Sequence, residues 1–404
     1  MLSIAVVVGV VVVGFLDGRN SNNSSRGSHD EEEDHPTPSL APSFDAFSNS
    51  CAVSFDYSEE LMSERYMQLR STILADARTN TTIHTPLSTI QRLALCWVAD
   101  FDTLELTKED DFVQRFIVAM IYFRWVTSKP DMMIAGDRLE TRNWLTGVHE
   151  CDWDFINCTD GKEVQRLRLS GLGLAGEIPT ELFLLPSLVF LDLSFNDLTG
   201  ELSSEMWSTA KQLQVLNVGA NHLTGTIPED ALRNLQELRY LSIANNRLTG
   251  TIPSLWNLTQ LRKLYVGGNE VRGPFPDLSA STKLETLVLS SLDDLTGTIP
   301  DYIWTFTNLD HLSLHATSLS GTIPTSIGSL EKLEFLDLSG SNFNGTIPSE
   351  MGRLSTLEQM RLQNNPSLSG TVPPEVCSLR LAAAECILVP RQLPCDCCVR
   401  SAQC

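Results

Sequence analysis

A repeat with a period of 23 to 25 residues constrains this chain more than any other feature. A glycine recurs two positions after a large apolar residue at almost constant spacing. Its positions are Gly176, Gly200, Gly225, Gly250, Gly273, Gly297, Gly321, Gly345 and Gly370. A fixed period of this length predicts stacked copies of one short structural unit, each burying its apolar face against its neighbours.

The residues inside the unit indicate how each copy folds. Paired apolar residues such as Leu241 and Ile243 flank one variable residue, so both are expected to point inward from a short parallel strand. Asn246 follows three positions later, and its amide is expected to bond to the backbone of the turn and of the next coil. The proline in the Gly-x-Ile-Pro segment disfavours a long helix on the outer side.

The complete unit, L-x-x-L-x-L-x-x-N-x-L-x-G-x-I-P, resembles the plant-specific class of leucine-rich repeat. That class occurs in receptor-kinase ectodomains, receptor-like proteins and polygalacturonase inhibitors. The resemblance implies an α/β solenoid, a right-handed leucine-rich-repeat horseshoe of about nine coils. Its parallel β-sheet would be concave, with a helical N-terminal cap and a cysteine-rich C-terminal cap.

The junction before the repeats, Trp144–Leu169, is similar to the N-terminal cap of the same family. Phe155 and Ile156 replace the Gly-Val of the family pattern. The resemblance implies a disulfide between Cys151 and Cys158. The cysteine-dense tail resembles that of membrane-anchored repeat proteins of diatoms and other stramenopile algae, which carry no kinase.

The ten cysteines avoid the repeats, since none lies between Cys158 and Cys377. Such a distribution is typical of end caps closed by disulfides in an oxidising compartment. A zinc site in the tail is the alternative, although the tail has no histidine. For Cys96, a buried thiol and a bond to Cys51 remain open. The predicted disulfide cysteines are Cys151, Cys158, Cys377, Cys386, Cys395, Cys397, Cys398 and Cys404; no metal or cofactor is predicted.

The chain divides into five predicted segments. They are a signal peptide or membrane anchor at 1–16, a disordered acidic Ser/Pro-rich stalk at 17–57, a helical N-terminal cap at 58–163, the repeats at 164–376 and a cysteine-rich C-terminal cap at 377–404. The apolar run at 2–16 is shorter than the roughly 20 residues of a spanning helix and lacks a clear cleavage site. With either alternative, the remainder of the chain leaves the cytosol. Helices are predicted at Leu87–Phe101 and Asp110–Val126.

The formal net charge of −21 argues against nucleic acid as a partner. We therefore predict a membrane-anchored, receptor-like module with its repeats extracellular or lumenal. Its partners would be a protein, peptide or glycan ligand and a co-receptor with a signalling domain. A secreted inhibitor or cell-wall protein, similar to polygalacturonase-inhibiting proteins, is the alternative. No enzyme is predicted. Ser313, His315 and Asp337 lack an oxyanion hole, and the printed sequence contains no H-R-D or D-F-G kinase motif.

Variable residues beside the inward leucines are the candidate ligand contacts. On the concave face they are Phe190, Asp192, Val215, Asn217, Tyr240, Ser242, Lys263, Tyr265 and His311. Exposed aromatic residues on strands about 4.8 Å apart are typical of a contact patch. Candidate glycosylation sites are Asn80, Asn257 and Asn344, each within an Asn-x-Ser/Thr sequence.

Overall fold

The computed structural model describes residues 64–75, 87–102, 104, 109–127, 143–202, 204–207, 209–379, 390 and 393. Several predictions fall outside these residues: the apolar segment 1–16, the stalk 17–57, Asn80, Cys386, Cys395, Cys397, Cys398 and Cys404. Among the helices that are described, none is both long and apolar enough to span a membrane.

Three helices precede the repeats: α1 (Glu64–Ala75), α2 (Thr89–Cys96) and α3 (Glu109–Thr127). Helix α2 begins at a capping box, in which Ser88 and Gln91 exchange side-chain-to-backbone hydrogen bonds, and it continues as a π-helical turn over Trp97–Phe101. The two predicted helices are thus present, whereas α1 was not singled out by its sequence.

Helix α3 differs from the prediction in its burial. We expected one apolar face, but the side chains from Phe112 to Phe123 are all buried. The reason is that α3 packs against α2 on one side and against the first repeat on another. A helix covered on several sides has no solvent face to keep polar.

Seventeen strands occur in the described residues. They are β1 (Ile156–Cys158), β2 (Val164–Arg168), β3 (Ala175–Glu177), β4 (Phe190–Asp192), β5 (Asp197–Thr199), β6 (Val215–Asn217), β7 (Tyr240–Ser242), β8 (Lys263–Tyr265), β9 (Gly273–Pro274), β10 (Thr286–Val288), β11 (Leu292–Thr298), β12 (His311–Ser313), β13 (Thr317–Thr322), β14 (Phe335–Asp337), β15 (Asn342–Thr346), β16 (Gln359–Arg361) and β17 (Ser367–Ser369).

The main sheet runs β1-β2-β4-β6-β7-β8-β10-β12-β14-β16, with β1 antiparallel and every later pair parallel. The central residues of successive strands are in register and fully buried. They are Leu167, Leu191, Leu216, Leu241, Leu264, Leu287, Leu312, Leu336 and Met360. The predicted parallel sheet of an α/β solenoid is therefore confirmed, and this ladder forms the centre of its core.

A second sheet, β9-β11-β13-β15-β17, and the pair β3-β5 contain five of the repeated glycines: Gly176, Gly273, Gly297, Gly321 and Gly345. In the coils between them, isolated parallel bridges flank Gly225 and Gly250. The sequence predicted only a turn there. Gly250 has a φ of 77°, and a Cβ atom at this position would lie 2.9 Å from Cγ2 of Thr226 in the preceding coil. Both the left-handed backbone and the close approach of the neighbouring coil therefore require glycine.

Seven outer segments of the described coils are single helical turns, as the prolines predict. They are α4 (Ser204–Trp207), α5 (Glu229–Leu232), α6 (Pro374–Cys377) and the 3-10 turns Thr180–Leu184, Asp301–Thr305, Thr325–Ser329 and Ser349–Arg353.

The asparagine at each turn bonds to the backbone of its own turn and of the preceding coil, not of the next coil as predicted. Asn246 Nδ2 donates to the carbonyl oxygens of Ile243 and, in the preceding coil, Val218, both at 3.1 Å. Its Oδ1 accepts from Leu223 N, also in the preceding coil, at 3.0 Å. Each asparagine therefore fastens two coils together.

Disulfides close the cap as far as it is described. Cys151 and Cys158 are bonded to each other, as the family resemblance implied. Cys96 and Cys377 each form a disulfide with a cysteine outside the described residues. The buried-thiol alternative for Cys96 is therefore wrong.

Phe195 occupies a backbone position at which the other described coils have smaller residues. Its φ is 55°, and 55% of its surface is exposed. The equivalent residues, also at positive φ, are Gly171, Ala220, Asn245, Gly268, Ser291, Ala316, Gly340 and Asn364. Each described coil adopts a left-handed backbone conformation at this position, and a bulky side chain is disfavoured in that conformation.

We expect Phe195→Asn to raise the free energy of unfolding by about 0.5–1 kcal/mol, because asparagine tolerates the left-handed conformation. Urea unfolding would measure the change. Phe195→Leu, which keeps a bulky side chain, should give no such gain. A loss of stability in the Phe195→Asn variant would show that the ring packs productively against the coil.

Candidate ligand-binding site

Each strand of the main sheet presents two outward side chains, one on each side of its buried central residue. The first outward column is Arg166, Phe190, Val215, Tyr240, Lys263, Thr286, His311, Phe335 and Gln359. The second is Arg168, Asp192, Asn217, Ser242, Tyr265, Val288, Ser313, Asp337 and Arg361. All nine predicted contact residues lie in these columns on one face of the sheet.

The predicted residues are not equally accessible. Ser242 is buried, whereas Tyr240, Lys263, Tyr265 and His311 are half-buried. Between the strands that carry Tyr265 and His311, β10 contributes Thr286 and Val288 to the same columns.

Tyr240 and Tyr265 form an aromatic pair across β7 and β8, with ring centroids 5.4 Å apart. They come from different columns, because the register places Tyr240 opposite Lys263 and Ser242 opposite Tyr265. Burial raises the pKa of Tyr240 to about 12, with further contributions from Tyr265 and Asp192. Burial also raises the pKa of Tyr265. Both phenols therefore stay protonated at neutral pH and retain their hydrogen-bond donors.

Two polar candidates are partly engaged by their own turns. Asp192 Oδ1 accepts from the backbone N of Ser194 at 3.0 Å and from its hydroxyl at 2.6 Å. Asn217 Oδ1 accepts from Gly219 N at 3.2 Å. These bonds orient each side chain along the strand end and leave fewer of its polar atoms available to a ligand.

A second aromatic group lies at the C-terminal end of the face. His311 stacks on Phe335 with centroids 4.2 Å apart and planes 3° apart, and the guanidinium of Arg361 lies 5.4 Å from the Phe335 centroid. Burial lowers the pKa of His311 to about 4; Asp337 opposes this shift and Lys263 adds to it. The imidazole is therefore neutral at neutral pH. Phe335 and Arg361 were not selected from the sequence, although the repeat register places them in the same columns.

A third group lies at the N-terminal end, where the guanidinium carbons of Arg166 and Arg168 are 5.8 Å and 5.4 Å from the centroid of Phe190. The two arginines were also missed as site residues. The signal that could have identified them is their position, since they precede and follow the strand leucine Leu167 in the repeat pattern.

The side chains of Ser313, His315 and Asp337 meet, but not as a catalytic relay. Ser313 Oγ is 3.1 Å from His315 Nδ1, and Asp337 Oδ2 is 3.7 Å from that same nitrogen. A Ser-His-Asp triad needs the two partners on opposite ring nitrogens. The geometry favours a surface for binding over a site for nucleophilic catalysis.

The two described glycosylation candidates have different surroundings. Asn344 is exposed on β15. Asn257 is half-buried, and its Nδ2 donates to the carbonyl oxygen of Arg233 at 2.7 Å. Glycosylation at both asparagines stays a prediction, and the side-chain amide of Asn344 is more accessible than that of Asn257.

Comparison with known proteins places the repeats in a family. Family models described as Leucine rich repeat match residues 187–208, 211–271 and 332–354. The chain is 42% identical over 71 residues to Protein MALE DISCOVERER 1 of Arabidopsis thaliana, which covers 17% of this chain and 10% of that protein.

Solved ectodomains match over a longer part of the chain. That of the plant membrane receptor kinase GASSHO1/SCHENGEN3 from Arabidopsis thaliana, in complex with CASPARIAN STRIP INTEGRITY FACTOR 2, is 30% identical with a TM-score of 0.56, covering 65% of this chain and 35% of that chain. That of the Arabidopsis receptor kinase HAESA, in complex with an IDA peptide hormone ligand, is 29% identical with a TM-score of 0.53, covering 65% and 48%. The chain thus spans less than half of each of these relatives.

Proposed function

Since this chain is a plant-type leucine-rich-repeat protein, we propose that the outward face of its main sheet binds a peptide or protein ligand outside the cytosol. The observation that carries the proposal is the half-buried pair Tyr240 and Tyr265 on adjacent strands. Large aromatic side chains supply much contact area at low conformational cost, and they are enriched at binding hot spots. The solved relatives bind peptide hormones on ectodomains of the same fold.

The aromatic contacts favour a peptide over a glycan. Sugars stack on the open face of an aromatic ring, but here the rings lie against one another or beneath guanidinium groups. Phe335 is stacked on His311 and lies beneath Arg361, and Phe190 lies beneath Arg166 and Arg168. Ring edges carry partial positive charge, so they suit carbonyl and carboxylate oxygens, which a peptide supplies along its length.

The test begins with a displayed library of random peptides, panned on the purified protein. We expect an enriched peptide family whose affinity falls by at least about tenfold in the Tyr240→Ala/Tyr265→Ala variant, because each truncated hot-spot tyrosine costs 1–2 kcal/mol or more. The readout is binding measured by biolayer interferometry, with thermal unfolding to confirm that the fold is retained.

Trp256→Ala provides the matched control, since Trp256 is an aromatic residue 53% exposed outside the main sheet. It should leave peptide affinity unchanged. Equal affinity of the enriched peptides for the native protein and the tyrosine double variant would discard the site.

We further propose that the protein acts with a separate signalling co-receptor. A solved complex of HAESA with IDA includes the co-receptor SERK1, which supports this arrangement.

Whether residues 1–16 anchor the protein is tested by alkaline carbonate extraction of membranes. Retention supports the anchor, and complete release supports the secreted alternative.

A further inference from the structure

Two phenol rings meet on the outward face of the main sheet. Tyr240 and Tyr265 lie on adjacent strands, with ring centroids 5.4 Å apart and planes 39° apart. Residues that are diagonal to each other across neighbouring strands come within reach when their side chains are aromatic. The coil stacking therefore places two oxidisable side chains of the same kind in contact.

The backbone beneath the two rings is fixed by the core. Strands β7 and β8 pair in parallel register, with Leu241 opposite Leu264, and both leucines are buried. Paired strands lie about 4.8 Å apart along the whole ladder. Two groups that are held in contact in this way react much faster with each other than the same groups do when free in solution.

The protonation state of the pair selects the kind of oxidant. Both rings are half-buried, so part of each is accessible to a small molecule. Burial raises the pKa of Tyr240 to about 12 and also raises the pKa of Tyr265. At neutral pH each phenol must therefore lose its proton together with its electron. A phenoxyl radical takes both at once, as a hydrogen atom.

We propose that Tyr240 and Tyr265 form an oxidative cross-linking site, at which phenoxyl radicals cause the two rings to join through a carbon–carbon bond. Such radicals are produced by a peroxidase from hydrogen peroxide and a small phenol. Each of two radicals removes one hydrogen atom from one tyrosine and returns to its phenol. The two tyrosyl radicals then combine at the ring carbons next to the oxygen-bearing carbon. The hydrogen on each joined carbon moves to oxygen, which restores two phenols.

A second aromatic pair has the same geometry without the same chemistry. Tyr302 and Phe306 have centroids 5.9 Å apart and planes 39° apart, and Tyr302 is also half-buried. Phenylalanine has no phenolic hydrogen to lose, so this contact supplies one tyrosyl radical and no partner for it. Ring contact alone is therefore insufficient, and the second phenol is what distinguishes Tyr240 and Tyr265.

The cross-link acts on the proposed ligand site, and this consequence rests on the proposed function. The joined rings can no longer rotate independently, and the angle between them is set by the new bond. A ligand that fits the two separate rings then loses its contact surface. Oxidation by phenoxyl radicals thereby lowers the affinity of the face for its peptide.

The cross-link can be detected without any ligand. The full chain would be treated with a peroxidase, hydrogen peroxide and N-acetyltyrosine at several protein concentrations. Trypsin cuts after Arg239, Arg247, Lys263 and Arg272, which places the two tyrosines in peptides 240–247 and 264–272. Mass spectrometry of the monomeric protein should find these two peptides joined, with the loss of two hydrogen atoms. The yield should not depend on protein concentration.

Matched variants identify the two positions. Tyr240→Phe and Tyr265→Phe each retain a ring but lack one phenol, so the joined peptides should be absent from either variant. Tyr302→Phe should still form them. Absence of the joined peptides from the native monomer, while N-acetyltyrosine dimerises in the same sample, would overturn the site.

The effect on binding is measured with the peptides enriched by panning. We expect the cross-linked monomer to bind them at least about tenfold more weakly than untreated protein, as for loss of a binding hot spot. The Tyr265→Phe variant should show equal affinity before and after treatment, which controls for other oxidation. Unchanged affinity of the cross-linked monomer would overturn the effect on binding. If the cross-link forms while the native protein enriches no peptide, the peptide-binding proposal fails and the cross-linking site stands.

Discussion

Replacing Arg115 with methionine is expected to lower the free energy of unfolding by about 3–5 kcal/mol, since it leaves buried carboxylates without their cation. Arg115, Asp102 and Glu150 are all fully buried or nearly so. All five N–H donors of Arg115 have acceptors. Nε and Nη2 donate to Asp102 at 2.5 and 2.7 Å, Nη1 donates to Glu150 at 3.0 Å, and two further bonds reach the backbone carbonyls of Thr146 and Val148 at 2.8 and 2.9 Å.

The surroundings of Arg115 explain why the cap depends on it. Its guanidinium lies 5.1 Å from the ring of Trp97 in the π-helical turn and 5.1 Å from that of Trp153 beside the disulfide. The adjacent Gln114 accepts from Val164 N at 2.6 Å, which ties α3 to β2 of the first coil. One pair of neighbouring residues thus connects the helices, the disulfide loop and the repeat.

Urea unfolding followed by tryptophan fluorescence would measure the effect, because two of the rings contact Arg115 directly. Arg115→Lys should be intermediate, since it keeps the charge but has three donors instead of five. The triple variant Arg115→Met/Asp102→Asn/Glu150→Gln should recover part of the loss by removing the unpaired charges. Arg262→Gln, in an exposed pair, should cost no more than about 1 kcal/mol. A similarly small loss for Arg115→Met would contradict this account.

The variant Asn246→Leu is expected to cost about 1–3 kcal/mol, because a buried backbone N–H loses its acceptor. Leu223 N loses its acceptor. The carbonyl oxygens of Val218 and Ile243 each lose one of two side-chain donors, since Asn221 and Asn269 also donate to them. Water does not reach these groups readily, since Asn246 is buried. The measurement is again urea unfolding.

Later coils provide the control for this prediction, because they replace asparagine with hydroxyl residues. Thr317 Oγ1 donates to Leu314 O at 3.0 Å, and Ser341 Oγ lies 3.3 Å from the same oxygen. We therefore expect Asn246→Thr to cost less than Asn246→Leu. Equal losses would indicate that the volume of the side chain matters at this position, and not its hydrogen bonds.

The sequence predicted the solenoid correctly because the same pattern of inward apolar residues and glycine recurs in every repeat. Each inward leucine must be covered by the next coil, so the period and the alternation together leave few other folds. The register of the outward columns follows from the same spacing. For that reason the sequence alone predicts that all nine candidate contacts lie on one face.

Contacts between coils were not accessible to the same reasoning. The pairing of Tyr240 with Tyr265 crosses two columns, and the pairing of His311 with Phe335 depends on rotamers of neighbouring strands. The requirement for glycine at Gly250 depends on the approach of Thr226 in the preceding coil, which no single repeat reveals. The asparagines bond to the backbone of the preceding coil, and the choice between the preceding and the next coil is set by how the coils stack.

By itself, the sequence determined the repeat, the parallel sheet, the columns of variable residues and the Cys151–Cys158 disulfide that family resemblance implied. Only the tertiary structure decided which of those variable residues act together. It left Arg166 and Arg168 without an acidic partner among the described residues, because Asp192 accepts from Ser194 instead. It also buried Arg115 between two tryptophans. The physical reason is that periodicity fixes the direction of a side chain, whereas its partner is selected by charge and packing across coils that are distant in sequence.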